Sequence, residues 1–146
     1  HPNALVINVA GEASWLMNMQ EMDTAIQYKL PVKQFILNNE RLGMVRQWQE
    51  LLHGERYSHS WSDALPDFVK LADAFGAKGI MVSDPADLDD AILEMLSYDG
   101  PVLFDCLVEK HENCFPMIPS GEPHNKMLLG EAKTDDAIGS SGAVLV

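Results

Sequence analysis

Two short stretches carry the residue types best suited to chemistry: Gly11-Glu12-Ala13-Ser14 and the pair Asn38-Asn39. A carboxylate and a carboxamide are hard oxygen donors of the kind that hold Mg²⁺, and Mg²⁺ in turn holds a diphosphate. The glycine at position 11 is expected to allow a tight bend. Ala13 and Ser14 are small enough for backbone N–H groups at a helix start to approach phosphate oxygens. Each stretch has a plainer reading on its own. The first could be an ordinary βα turn with Ser14 capping the helix, the second an Asn pair ending a strand in left-handed turn geometry. Their joint placement, each at the end of an apolar run, argues for a shared site.

The elements that must position them follow from the pattern. Ala4–Ala10 and Val32–Leu37 read as consecutive strands of one βαβ unit, so Glu12 and Asn39 are expected side by side at the carboxyl edge of a parallel sheet, where open α/β sheets bind ligands. Between them Trp15, Met19, Met22 and Ile26 recur at helical spacing up to Leu30-Pro31. A second stripe, Met44, Trp48, Leu51 and Leu52, stops at Gly54. Residues 55–63 read as a loop, and a short helix opened by Pro66 carries Phe68, Val69, Ala72 and Phe75 as far as Gly76. A strand over Gly79–Val82 precedes a helix capped by Asp84-Pro85, and Val102–Val108 is the last strand. Beyond Glu109 three prolines and short polar runs suggest an irregular tail. The expected fold is α/β, a parallel sheet flanked by helices in a Rossmann-like three-layer arrangement, because the strands lack clean alternation.

Composition sets the outer bounds. The 146 residues suit one domain, read as residues 1–130 with a flexible tail over 131–146. A net charge of −12 excludes a general nucleic-acid binder. No apolar run here reaches membrane-spanning length and no charged n-region precedes an apolar h-region within these residues, and the two cysteines, Cys106 and Cys114, are expected as buried reduced thiols of a cytoplasmic protein. His53, His59, His111 and His124 show no ligand spacing, and Asp84, Asp87, Asp89 and Asp90 read as a solvated helix face. The chain begins with His1-Pro2-Asn3 running straight into a strand, which suggests a piece of something longer with an exposed sheet edge prone to homo-oligomer formation.

A further constellation is Leu42–Trp48 (LGMVRQW), where Met44, Val45 and Trp48 share one helical face, either as core or as a pocket wall beside the proposed metal turn. With these motifs together the chain resembles the acetohydroxyacid (acetolactate) synthase large catalytic subunit, in its C-terminal thiamine-diphosphate-binding domain. The resemblance rests on the Gly-acid turn, the Asn pair, MNMQEMDTAIQYKLPVK, NNERLGMVRQWQELL and NCFPMIPSG, and covers about residues 1–130.

The resemblance implies that Glu12, Asn39 and the backbone carbonyl of Arg41 hold Mg²⁺, and that Gly11, Ala13, Ser14, Asn39 and Met44 contact thiamine diphosphate. It further implies that Met44, Val45 and Trp48 line a substrate channel, that residues 116–121 help close the site, and that FAD, where present, sits in a domain absent here. The activity implied is decarboxylation of pyruvate and carboligation to a second 2-ketoacid, an early step of branched-chain amino-acid synthesis. Other thiamine-diphosphate carboligases are disfavoured by Trp48.

Two departures qualify the expectation. The family has Asp where this chain has Glu12, and an extra methylene moves a carboxylate about 1.5 Å, whereas Mg²⁺ demands near-ideal octahedral geometry. Weakened or altered metal binding is therefore expected. The domain that supplies the family's cofactor-protonating glutamate is also missing, so no residue here is assigned as catalytic and the fragment is expected to be inactive alone. The alternative is a degenerate, non-catalytic module that keeps the fold without binding cofactor.

Overall fold

Runs rich in Val, Ile, Leu and Phe form four parallel strands, β1 (Ile7–Gly11), β2 (Lys33–Asn38), β3 (Lys78–Val82) and β4 (Val102–Leu107), in the order β1-β2-β4-β3. The computed structural model describes residues 4–130, so the tail proposed for 131–146 and the opening His1-Pro2-Asn3 lie outside the described residues. These residues divide into two units, 4–41 with 62–110 and 42–61 with 111–130.

The first unit is the sheet and its covering helices. Alternate residues of β4 feed two separate cores. Leu103 joins Ile36, Trp15, Met22, Phe68 and Ala72 under α1 (Glu12–Leu16), α2 (Glu21–Gln27) and α4 (Phe68–Phe75). Val102, Phe104 and Cys106 join Ile80, Val82 and Met95 under α5 (Leu88–Ser97). Both faces of the sheet are thus covered, and the expected three-layer α/β architecture is present. α4 is sharply bounded, with the Asp67 carboxylate accepting from the Lys70 N–H at 3.0 Å and Gly76 leaving at φ 82°. A buried cation, Lys33, opens β2 by donating to the carbonyls of Tyr98 (2.6 Å) and Gly100 (2.7 Å).

Three expectations need correction here. The single helix read from Trp15 to Ile26 is two short helices, broken over residues 17–20; Met19 is exposed because it falls in that break. β1, read as a buried-type strand starting at Ala4, starts at Ile7 and its Val9 is 61% exposed, while the expected exposed edge is there, since among the described residues β1 pairs with β2 alone. Cys106 is a buried free thiol as expected, but Cys114 is exposed.

The second unit contains α3 (Gly43–Leu52), the loop after it, and an irregular segment fixed by an antiparallel bridge between Met117 and Leu128. Gly54 (φ 61°) ends α3 as predicted.

Candidate functional site

The register of the sheet brings the two sequence stretches to one edge. Gly11 of β1 pairs with Leu37 of β2, so Glu12 and Asn38-Asn39 leave the sheet in the same row. Glu12 is the first residue of α1 and is only 1% exposed, with its Oε2 left without a hydrogen-bond partner. Burial pushes its carboxyl above the ordinary glutamate value; the nearby Asp105 charge adds to this, while backbone groups of Glu12, Asn39 and Arg41 pull the other way.

The turn that Glu12 faces is closely specified. Asn38 donates from Nδ2 to the Asp105 carboxylate at 3.0 Å and accepts from the Glu40 N–H at 3.1 Å. Asn39 Oδ1 accepts from the Arg41 N–H at 3.1 Å. Glu40 sits in the left-handed region at φ 54°, and its carboxylate pairs with Lys110. Asp105 is itself buried, and desolvation raises its carboxyl despite the Asn38 hydrogen bond.

The local account of the first turn changes. Gly11 is extended (φ −73°) and supplies no left-handed bend; a Cβ there would meet nothing within 4 Å. Ser14 does not cap α1, whose N-cap is Gly11 with no side-chain hydrogen bond. Ser14 instead lines a cleft of about 290 Å³ with Asn8, Ala10, Trp15, Asn18 and Gln34, among others. What sequence reasoning missed is Asp105 together with the Glu40–Lys110 pair. The signal was present in VLFDCL, a lone acid inside an otherwise apolar central strand, where an ionised group is costly unless it has a task.

In the second unit α3 presents Met44, Val45 and Trp48 outward, Met44 being 52% exposed, around an open cavity of about 370 Å³ shared with Gln49 and His53. They form a wall, not a core stripe. The buried face is polar: Arg46 is 3% and Gln47 1% exposed. Arg46 pairs with Glu50 and donates to the carbonyls of His111 and Glu112 and to Asn113 Oδ1. Gln47 donates to the Cys114 carbonyl at 3.0 Å and accepts from the Cys114 N–H at 2.6 Å. Among the described residues no group of three or more His, Cys, Asp or Glu is placed to hold a metal. No helix among them is long and apolar enough to cross a membrane.

Residues 1–106 match the model of the thiamine pyrophosphate enzyme, C-terminal TPP binding domain. The chain belongs to this family. Among family members, it is 49% identical over 134 residues to the acetolactate synthase large subunit of Porphyra purpurea, covering 91% of this chain and 22% of that one. It is 41% identical over 127 residues to the acetolactate synthase isozyme 2 large subunit of Escherichia coli, covering 87% and 23%. The chain thus spans about a fifth of the length of these relatives. Among solved structures, the thiamine diphosphate-dependent 4-hydroxybenzoylformate decarboxylase of Rhodococcus jostii RHA1 superposes with TM-score 0.67 at 29% identity, over 77% of this chain and 21% of that one. The benzoylformate decarboxylase of Polynucleobacter necessarius gives 0.69 at 27%, over 76% and 21%. The family's sheet is shared with these decarboxylases, while the higher sequence identity lies with acetolactate synthases, as the motif after the Asn pair suggested.

Proposed function

We propose that the chain is the thiamine-diphosphate- and Mg²⁺-binding part of an acetolactate synthase large subunit, a protein that decarboxylates pyruvate and joins the product to a second 2-ketoacid. The observation that carries the reading is the unpartnered, buried Oε2 of Glu12 beside the Asn39–Arg41 turn. A carboxylate oxygen in that state is costly by itself and favourable against a cation. The donor chemistry fits Mg²⁺: Glu12, the second lone pair of Asn39 Oδ1 and the Arg41 carbonyl are all oxygen ligands. Water and phosphate oxygens are the natural remainder of a Mg²⁺ shell.

The chain's own residues then have these tasks. Glu12 supplies negative charge to the cation and is relieved of its desolvation cost. The N–H groups of Ala13 and Ser14, in the first turn of α1, have no partner within the helix and suit phosphate oxygens. Gly11 leaves open space over the end of β1 for a ligand to approach the backbone. Met44, Val45 and Trp48 offer an apolar wall for the substrate channel, and Met44 a cofactor contact. Thiamine diphosphate, when bound, supplies the carbon nucleophile and electron sink that decarboxylation of a 2-ketoacid requires. No residue of this chain is assigned to FAD. The open β1 edge supports a homo-oligomer, and the free thiols accord with the cytoplasm. The level of identity to acetolactate synthases favours this lineage over a non-catalytic module.

Calorimetric titration of the full chain with thiamine diphosphate and Mg²⁺ tests the reading. Saturable heat is expected, weak in the natural chain and stronger in Glu12→Asp, which restores the shorter acid. No heat in either protein at millimolar cofactor overturns it.

A further inference from the structure

A carboxylate in the middle strand of a parallel sheet is expensive to bury, and Asp105 lies between Ile36 of β2 and Met81 of β3 on the face that also holds Leu103. An apolar residue there would serve the core better. Asp105 does one specific thing: it accepts the Nδ2–H of Asn38 at 3.0 Å.

That contact decides more than one hydrogen bond. The two ends of an asparagine amide are nearly the same size, so neighbours choose its orientation. An ionised carboxylate only accepts, so the amide nitrogen must face Asp105 and Oδ1 must face the chain beyond. There it meets the Glu40 N–H at 3.1 Å. The reversed amide would set oxygen against carboxylate and N–H against N–H, losing both contacts. The Glu40 bond in turn closes a turn whose residue 40 adopts φ 54°, a conformation that disfavours a side chain such as glutamate. Lys110, beyond the end of β4, secures the same residue through its carboxylate. Both tethers therefore come from β4 or the residues that follow it, and the turn they shape holds Asn39 and Arg41 against Glu12.

We infer that Asp105 is a positioning residue: by fixing the Asn38 amide it sets the turn that places Asn39 and Arg41 at the Glu12 carboxylate. The metal-binding consequence rests on the reading of the Glu12 site given above; the turn itself does not.

The test compares Asp105→Leu, which has no acceptor, with Asp105→Asn, which keeps the shape and one acceptor oxygen, in the full chain. Three quantities are read: hydrogen-exchange protection of the Glu40 amide by NMR, Mn²⁺ affinity by electron paramagnetic resonance, and melting temperature. Asp105→Leu is expected to speed Glu40 exchange and weaken Mn²⁺ binding each about tenfold, the loss of one hydrogen bond. Asp105→Asn is expected to stay within about threefold of the natural chain in Glu40 exchange. A lower melting temperature with Glu40 protection and Mn²⁺ affinity unchanged in Asp105→Leu overturns the inference, as does an Asn variant no better protected at Glu40 than the Leu one. Should Asp105→Leu not fold, Asn38→Ala takes its place and must lose Glu40 protection; retained protection refutes the inference. If the natural chain takes up no Mn²⁺, the metal reading fails, and Glu40 exchange alone still decides whether Asp105 positions the turn.

Discussion

Replacing Glu12 by glutamine separates the cost of its buried charge from its use. In the metal-free chain one oxygen of a fully buried carboxylate has no partner, and such an orphan costs about 1–3 kcal/mol, more for a charged group. Glutamine keeps the shape, can still offer an oxygen to the backbone groups of Asn39 and Arg41, and can turn its amide toward Asp105. Metal-free Glu12→Gln is therefore expected to be more stable at pH 7.5 by about 1–2 kcal/mol, roughly 3–6 °C in melting temperature for a chain of this size. The pH dependence follows from the same charge. Because the folded carboxyl lies above the ordinary value of 4.5, the folded chain binds a proton more readily than the unfolded one. Stability contributed by this group is thus full below that value and is lost as pH rises through the raised one. Calorimetric scans between pH 5 and 8 at a constant buffer strength of about 50 mM should show the natural chain losing stability with rising pH, and Glu12→Gln losing less, with Asp105 responsible for what remains. Adding Mn²⁺ reverses the ranking, since a ligand at a hundred times its Kd stabilises by about 2.7 kcal/mol and glutamine forfeits that gain. A metal-free Glu12→Gln that melts below the natural chain at pH 7.5 would refute the reasoning.

Gly11→Ala should fold normally and gain up to about 1 kcal/mol from the stiffer unfolded chain, since its backbone is extended and its Cβ meets open space; titration should nonetheless show weaker binding of Mg²⁺ with thiamine diphosphate, because the methyl fills the approach to β1. Lys33→Met leaves the Tyr98 and Gly100 carbonyls without their donor and should cost about 2–4 kcal/mol by urea titration, with faster amide exchange in the turn before β4. Gln47→Leu removes both contacts to the Cys114 backbone and should make residues 113–117 cleavable by protease at concentrations that spare the sheet.

Much of the fold was legible because its signals are local. Helical stripes, the Gly76 stop and the apolar strands mark their own places, and β4 is apolar at every residue but Asp105 because both its faces are covered. The misreadings have a common cause, which is that periodicity reports a face without saying what covers it. Trp15, Met19, Met22 and Ile26 fit one helix on paper, yet the chain breaks between them. On α3 periodicity left two readings of the Met44, Val45 and Trp48 face, core or wall; these residues face out, and Arg46 and Gln47 face in. A helix packed against irregular backbone must supply donors and acceptors for peptide groups that no ladder satisfies, so its buried face is polar. The Glu12–Asn39 pairing was readable from two strand ends and their register. Asp105 and Lys110 were not, since their roles depend on which strand lies beside β2.

The long reach of the α3 contacts has a consequence in time. Apart from the Arg46–Glu50 pair, Arg46 and Gln47 donate to residues 65 to 70 positions further along the chain. At a synthesis rate of roughly 5–20 residues per second, α3 leaves the ribosome roughly 3–14 s before its partners exist. A ten-residue helix is marginal alone in water, so during that interval it has little reason to persist. All four strands, by contrast, are complete at Leu107, ahead of the first of those partners at His111. Vectorial synthesis therefore imposes an order of assembly, with the sheet and its acidic edge formed first and the apolar wall of α3 set last.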